Sequence, residues 1–149
     1  MISVLPKEWA SGLCLAVALL LGLAVPAAGQ AVMPGVDLNS PTMTTAEMSR
    51  EEVAAAIEAA AGAPISLVRK RLSGLDLSGL DLTGANLRGA YLNKTNFRLA
   101  KLDNAVLDQA WTLNANFEGA SFRHASLIAS QMHGANLKGA DLTGARITA

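Results

Sequence analysis

Residues 72–92 read LSGLDLSGLDLTGANLRGAYL, and a leucine occupies every fifth position from Leu72 to Leu92. An α-helix repeats every 3.6 residues and a strand every two, so neither produces this spacing. Large apolar residues continue in the same frame as far as Ile147, and Thr112 is the one polar residue in the series. We call these positions the centres. Their unbroken period predicts a repetitive structure with a turn in every repeat.

Each repeat of five residues has the pattern of a short strand followed by a corner. The position two before each centre is alanine from Ala85 onward, except at Thr95 and Ser130. This position and the centre point inward, and the residue between them points outward, as in a strand. The last two residues turn the corner, so four repeats, or 20 residues, return the chain above its own start. Successive coils would then pair like parallel strands about 4.8 Å apart.

The clearest repeats are ANLRG at 85–89 and AYLNK at 90–94. The pattern A-(D/N)-L-x-x over residues 72–149 resembles the pentapeptide repeat family. The resemblance implies an all-β solenoid, a right-handed quadrilateral β-helix, of about four coils. For most of that family it implies no known activity.

Columns of residues 20 apart follow from this geometry. Phe97 and Phe117 are predicted to stack inside the coil, and Phe122 to lie inside the next side. Asn96, Asn116 and Asn136 would form an outward column, in which stacked amides can bond along a ladder.

The N-terminus has the features of an export signal. Residues 13–25, LCLAVALLLGLAV, are thirteen apolar or small residues, which is short for a membrane helix of about 20. Pro26 and the small residues at 27–29 follow, so residues 1–29 are predicted to be a signal peptide, cleaved after Gly29 or Ala31. The alternatives are an uncleaved membrane anchor and a buried helix. Residues 30–44, with two prolines, are interpreted as a linker.

Residues 45–71 are predicted to form an N-terminal capping helix and a lead-in to the β-helix at 72–149. Ser49 and Glu52 have the spacing of a capping box. Apolar residues recur at helical spacing over 50–61, and Gly62 and Pro64 end the helix. An amphipathic helix here would cover the first coil, whose apolar centres and strand edges invite aggregation.

The composition argues against several chemistries. Twelve basic residues balance twelve acidic ones, and Cys14 is the only cysteine. His124 and His133 are predicted on different sides of the coil, with no carboxylate cluster between them. The sequence therefore predicts no catalytic residues, no metal site, no cofactor, no small-molecule substrate and no nucleic-acid partner.

One outward column contains aromatic residues where polar ones are usual, and it is the candidate protein-binding patch. Two alternatives remain: Thr112 bulges the coil and turns Trp111 or Leu113 inward, or the aromatics pack on each other or under the helix. The proposed patch consists of Arg71, Tyr91, Trp111, Leu113 and His133.

These features predict an exported, non-catalytic scaffold in the periplasm or at the surface of a bacterium, with an unknown protein partner. A homodimer through the open last coil is a further expectation. The membrane is a partner only if the signal is retained. The resemblance suggests another role, because some family members resemble duplex DNA and protect topoisomerases from quinolones. That role needs an acidic surface, whereas residues 72–149 carry seven basic and six acidic residues.

Overall fold

The structure is a computed structural model that describes residues 35–148 of the 149-residue chain. The predicted signal peptide, 1–29, lies outside the described residues. Contacts divide the chain into two units, and the unit that begins at Asp37 contains every element described below.

A ladder of single-residue parallel bridges forms the body of this unit. From Ser66 to Arg146 the bridge residue is the one before each centre, and its partner is always 20 residues away. Bridges such as Asn86 to Val106 and Val106 to Ser126 place successive coils in register. The predicted circuit of four repeats is therefore confirmed. The ladder already includes Ser66, within the segment interpreted as a lead-in.

Four of the five backbone N–H groups in a repeat bond to other backbone atoms. In the repeat around Leu87, the Leu87 N–H donates to Val106 O (2.7 Å) and the Gly89 N–H to Asp108 O (2.9 Å) in the next coil. The Asn86 N–H donates to Ile65 O (2.9 Å) in the previous coil, and the Ala90 N–H closes the corner onto Leu87 O (3.0 Å). Only the N–H just after the centre lacks a backbone acceptor.

Asparagine and aspartate at the bridge position accept from this fifth N–H group. Asn86 Oδ1 accepts from the Arg88 N–H at 3.2 Å, and Asp76 Oδ1 from the Ser78 N–H at 3.0 Å. This local turn is the physical reason for the D/N of the repeat. Where the bridge residue is of another type, the previous coil can supply the acceptor: Asp103 Oδ1 accepts from the Arg123 N–H at 2.9 Å.

The second residue of each corner has a positive φ, which favours glycine. Eight of these sixteen corner residues, from 69 to 144, are glycines, and the other eight are Arg69, Lys94, Leu99, Asn104, Gln109, Asn114, His124 and Ala129. The coil geometry therefore holds eight ordinary side chains in a backbone conformation that they rarely adopt.

The interior is built from the centres and the small residues before them. Phe97 and Phe117 stack with ring centroids 5.1 Å apart, and Phe122 meets Phe117 edge-on at 5.1 Å. All three are fully buried, as predicted from the sequence. The two polar residues that replace alanine before a centre both form hydrogen bonds: Thr95 Oγ1 donates to Leu72 O, and Ser130 Oγ donates to Leu127 O.

Within residues 35–148, two helices precede the ladder. Helix α1 spans Pro41–Thr44, inside the segment interpreted as a linker, and helix α2 spans Arg50–Ala59. The predicted capping box of α2 is confirmed: Ser49 and Glu52 each bond the other's backbone N–H. Val53 is buried in the same apolar cluster as the first centres. Arg50 donates to two first-coil carbonyls, those of Asp76 and Ser78.

The last coil presents a free edge within residues 35–148. The backbone N–H groups of Met132, Leu137, Leu142 and Ile147 donate to no backbone carbonyl in this part of the chain. The first three side chains are half-buried, and that of Ile147 is exposed.

Candidate functional site

The candidate site lies on one outer side of the ladder. Its first part is a column of bridge residues, which we call the aromatic column: Arg71, Tyr91, Trp111 and Gln131. Consecutive members are bridge partners, so they are one strand spacing apart, about 4.8 Å. All four are half-buried. Two large aromatic side chains therefore follow each other along the outside of the solenoid.

The second part lies just past the centres on the same side, and we call it the corner column: Ser73, Asn93, Leu113 and His133. Ser73 is 5% exposed, and Asn93 and Leu113 are 7% exposed. On the other sides of the ladder, this position is half-buried or exposed throughout the described residues. The first three members of this column are therefore covered by other parts of the chain.

That cover includes the segment 37–47, which we call the N-terminal strap. Met43, in α1, is 7% exposed, and its carbonyl oxygen accepts from Asn93 Nδ2 at 3.1 Å. The Met43 sulfur lies 3.6 Å from the same nitrogen. The other side of the Asn93 amide accepts from the Leu113 N–H at 3.0 Å. Asn93 thus connects the strap to the third member of the corner column.

The strap has a second attachment at the first coil. Ala46 forms an antiparallel bridge with Leu72, and the Glu47 N–H donates to Arg71 O at 2.8 Å. The Glu47 carboxylate accepts from the Arg71 N–H at 3.2 Å and lies 3.5 Å from the cationic groups of Lys70 and Arg71. The backbone N–H of Arg71 and, less strongly, these two cations lower the pKa of Glu47.

The structure has no bulge at Thr112, one of the two alternatives considered from the sequence. Trp111 keeps bridge partners 20 residues away on both sides, and Asn116 continues the register. Thr112 is buried, and its hydroxyl donates to Gln131 O at 3.0 Å, so the polar centre is satisfied. Leu113 is nevertheless buried, while Trp111 stays half-buried on the outer face.

The five predicted patch residues thus divide into two groups. Arg71, Tyr91 and Trp111 share the aromatic column. Leu113 and His133 belong to the corner column, where Leu113 is buried and His133 is exposed.

One buried polar atom of the corner column has no partner. The Ser73 hydroxyl oxygen is inaccessible and makes no hydrogen bond. Such a group costs about 1–3 kcal/mol, so its presence needs a reason.

Other surface features of the described residues are less developed. A cleft of about 380 Å³ between α2 and the first coil is lined by Ile57, Gly62, Ala63, Ile65, Asp81, Leu82 and Thr83. Within residues 35–148, no group of three histidine, cysteine or acidic residues could hold a metal ion. In the same range, no helix is long and apolar enough to cross a membrane.

Comparison with known proteins identifies the repeat. The profile of pentapeptide repeats matches this sequence in eight copies, over residues 71–111 and 114–148. The chain belongs to the pentapeptide repeat family. Proteins of this family form right-handed quadrilateral β-helices, in agreement with the 20-residue ladder. The two matched ranges leave out Thr112, the polar centre, and Leu113, the buried leucine of the corner column.

Solved structures of other pentapeptide repeat proteins resemble this one. The protein alr5209 from Nostoc PCC 7120 is 28% identical, with a TM-score of 0.56, covering 64% of this chain and 95% of that one. Rfr23 from Cyanothece 51142 is 33% identical, with a TM-score of 0.35, covering 57% and 61%. Trypsin-treated QnrB1, a plasmid-mediated fluoroquinolone resistance protein, is 22% identical, with a TM-score of 0.30, covering 54% and 46%. Among curated proteins, none matches the sequence.

The residues that connect the strap to the coil were not predicted from the sequence; they include Met43, Glu47 and Asn93. One local signal was present, since proline after Ser40 is typical of a first helical position. The other signal is the corner column itself, where serine, asparagine and leucine replace each other at one position of successive coils.

Proposed function

We propose that this pentapeptide-repeat protein is an exported, non-catalytic scaffold that binds another protein in the bacterial periplasm or at the cell surface. The observation that supports protein binding is the aromatic column. Tyr91 and Trp111 stand on the outside of consecutive coils, where the ladder fixes their backbones. Large aromatic residues and arginine are enriched at the energetic centres of protein interfaces. Arg71 completes such a set at one end of the column.

The absence of catalysis is part of the proposal. Proteins of this family are generally structural or interaction proteins. His124 and His133 belong to repeats on opposite sides of the 20-residue circuit, so they do not form a common site. The acidic side chains that pair with basic ones along the ladder have structural roles, because they bond to backbone N–H groups and to neighbouring cations.

The surface charges do not favour mimicry of duplex DNA. Along the ladder, acidic side chains pair with basic ones: Lys101 lies 3.3 Å from Asp81, Arg123 lies 2.6 Å from Asp141, and Arg98 lies 3.9 Å from Glu118. A surface with alternating charges lacks the continuous negative potential that a nucleic-acid backbone presents.

A capture experiment tests the binding proposal. Full-length wild-type protein is compared with the variants Tyr91→Ser/Trp111→Ser and Val106→Ser/Ile128→Ser as bait in periplasmic extract. The second variant also removes half-buried apolar side chains, but from another side of the ladder. We expect the first variant, folded by circular dichroism, to lose a partner that the wild type and the second variant retain. Equal capture by all three baits would contradict the proposal.

Export is tested separately. Cell fractionation and N-terminal sequencing of the full-length gene product should find the protein in the periplasm, beginning at residue 30 or 32. A membrane-bound product that retains residues 13–25 would replace export with anchoring. A product that stays in the cytoplasm would contradict both.

Self-association through the edge of the last coil is the second part of the proposal. In residues 35–148 this edge has free N–H groups beside half-buried centres such as Leu137 and Leu142. A second copy could pair with both kinds of group. Sedimentation velocity at micromolar concentration should show a dimer that the Leu142→Lys variant loses. A monomer in the wild type would contradict this part alone.

A further inference from the structure

We propose that the corner column and the aromatic column beside it form a docking site for a short peptide segment of the partner protein, and that the N-terminal strap occupies this site in cis. The partner peptide would carry a large, flexible apolar residue followed, four positions later, by an acidic residue. This inference rests on the proposed scaffold function and specifies which face binds and what it recognises.

The first support is that the site offers specific contacts to an apolar and to an acidic residue. The apolar residue would occupy the position of Met43, whose side chain is buried against Asn93 on the outside of the coil. The Asn93 amide donates to the Met43 carbonyl of the strap, and it would donate to the equivalent carbonyl of a partner peptide. Lys70 and Arg71, both 3.5 Å from Glu47, supply the charge that selects an acidic residue. The strap therefore shows the spacing and chemistry that the site accepts.

The second support is that the strap fits this site incompletely. The Ser73 hydroxyl is buried beside the strap attachment at Leu72 and has no hydrogen-bond partner. A peptide with a polar group at this point would form a hydrogen bond with the hydroxyl and would therefore bind more tightly than the strap does. A buried hydroxyl without a partner needs an explanation, and we infer that the partner peptide supplies the missing hydrogen bond.

The third support is that the strap is held by few contacts. Helix α1 has only four residues, and Ser40 makes no side-chain capping bond, whereas α2 has a complete capping box. Within 41–47, Met43 is the only buried residue. Such a segment opens locally without unfolding the ladder. As a tethered ligand it still competes at high effective concentration, so a partner must displace it.

The test uses the full-length chain and a peptide made of residues 37–49. The double variant Met43→Ser/Glu47→Gln weakens both attachments of the strap. A fluorescent wild-type peptide should bind this variant at least tenfold more tightly than it binds the wild-type protein, where the strap competes. Thr42→Ala changes an exposed strap residue with no side-chain bond, and it should behave like the wild type. A peptide carrying the two substitutions should not bind any of the proteins.

Hydrogen exchange gives a second readout. The Leu113 N–H bonds to Asn93 Oδ1, which the strap holds in place through its carbonyl. We expect the Leu113 amide to exchange at least tenfold faster in the double variant, and saturating peptide to restore its protection. Glu47→Gln alone should accelerate it about threefold, which keeps the test decisive if the double variant does not fold.

Three results would overturn the inference. The peptide binds the double variant no better than the wild type, or the Leu113 amide exchanges equally in both. Alternatively, the wild-type protein forms a dimer in which a second copy's strap fills the site. These outcomes leave the capture experiment with Tyr91 and Trp111 unaffected, so failure of this inference can be distinguished from failure of the scaffold function.

Discussion

Two corner positions with positive φ, one occupied by glutamine and one by glycine, should respond to substitution with opposite changes in stability. Gln109 has a φ of 59° and an exposed side chain, and its N–H donates to Ile128 O. Gly139 has a φ of 69° in an equivalent corner. We predict that Gln109→Gly stabilises the protein and that Gly139→Ala destabilises it.

The magnitude follows from two opposing terms. An L-residue in the left-handed region costs roughly 1–2 kcal/mol. Glycine costs about 0.5–1 kcal/mol more conformational entropy on folding than alanine. Gln109→Gly should therefore raise the free energy of unfolding by about 0.5–1 kcal/mol, or about 2–4 °C in Tm.

Gly139→Ala should lower the free energy of unfolding by a similar amount, and steric overlap does not contribute. A Cβ atom at this position would lie 4.0 Å from its nearest neighbour, the Gly119 nitrogen. The cost therefore comes from the backbone conformation alone. Gly119→Ala is a less clean test, because its Cβ would meet Leu99 Cδ2 at 2.8 Å.

The assay is urea unfolding followed by circular dichroism, with Arg88→Gly as the matched control. Arg88 is exposed, lies in a corner, and is not among the residues with positive φ. Glycine should destabilise there, because it adds chain entropy and relieves no strain. If Gln109→Gly destabilises the protein as much as Arg88→Gly does, the strain reasoning is refuted.

The remaining predictions concern the core, the amide ladder and acid stability. Phe117→Ala should cost about 3–5 kcal/mol in urea unfolding, near the upper end because two aromatic rings lie 5.1 Å away; a loss under about 2 kcal/mol would contradict the packing. Asn116→Ala should cost about 1–2 kcal/mol and expose the Glu118 amide to hydrogen exchange, since Asn116 Oδ1 accepts from it at 3.1 Å; unchanged exchange would refute this role. Asp141 accepts from Thr143 and Arg123, which hold its pKa well below the ordinary value. Stability from this group is present above about pH 4 and is lost as the pH falls through its folded pKa, so acid titration of Asp141→Asn should show a shallower loss than the wild type; equal slopes would contradict it.

Much of the fold could be predicted because it repeats. A residue that recurs every five positions meets its equivalent every 20, so one assignment of inward and outward positions applies to the whole coil. The amide column shows this: Asn96, Asn116 and Asn136 were predicted to bond in a ladder, and their amides do bond at 3.0–3.2 Å. The ladder continues to Asp76 in the first coil.

The start of the ladder was harder to place from the sequence. Residues 65–69, ISLVR, have Leu67 as a buried centre and Arg69 at positive φ, as a repeat requires. They lack the asparagine or aspartate and the glycine that mark other repeats. Pairing with the coil above, through Ser66 and Asn86, supplies the order that the local sequence does not.

The strap could not be predicted because its contacts do not repeat. Its four-residue helix has too few residues for a periodic signal, and its anchor at Asn93 is 50 residues away in the chain. The sequence contains one sign of the strap, which is that the residue type in the corner column differs from coil to coil. A column with a structural role, such as the amide ladder, keeps asparagine or aspartate throughout because each coil must bond to the next in the same way. Serine, asparagine and leucine at 73, 93 and 113 cannot all serve the same coil-to-coil contact. Asn93 instead bonds to a segment that lies outside the repeats, and so a solenoid column whose chemistry changes from coil to coil indicates a surface shaped by something outside the repeat.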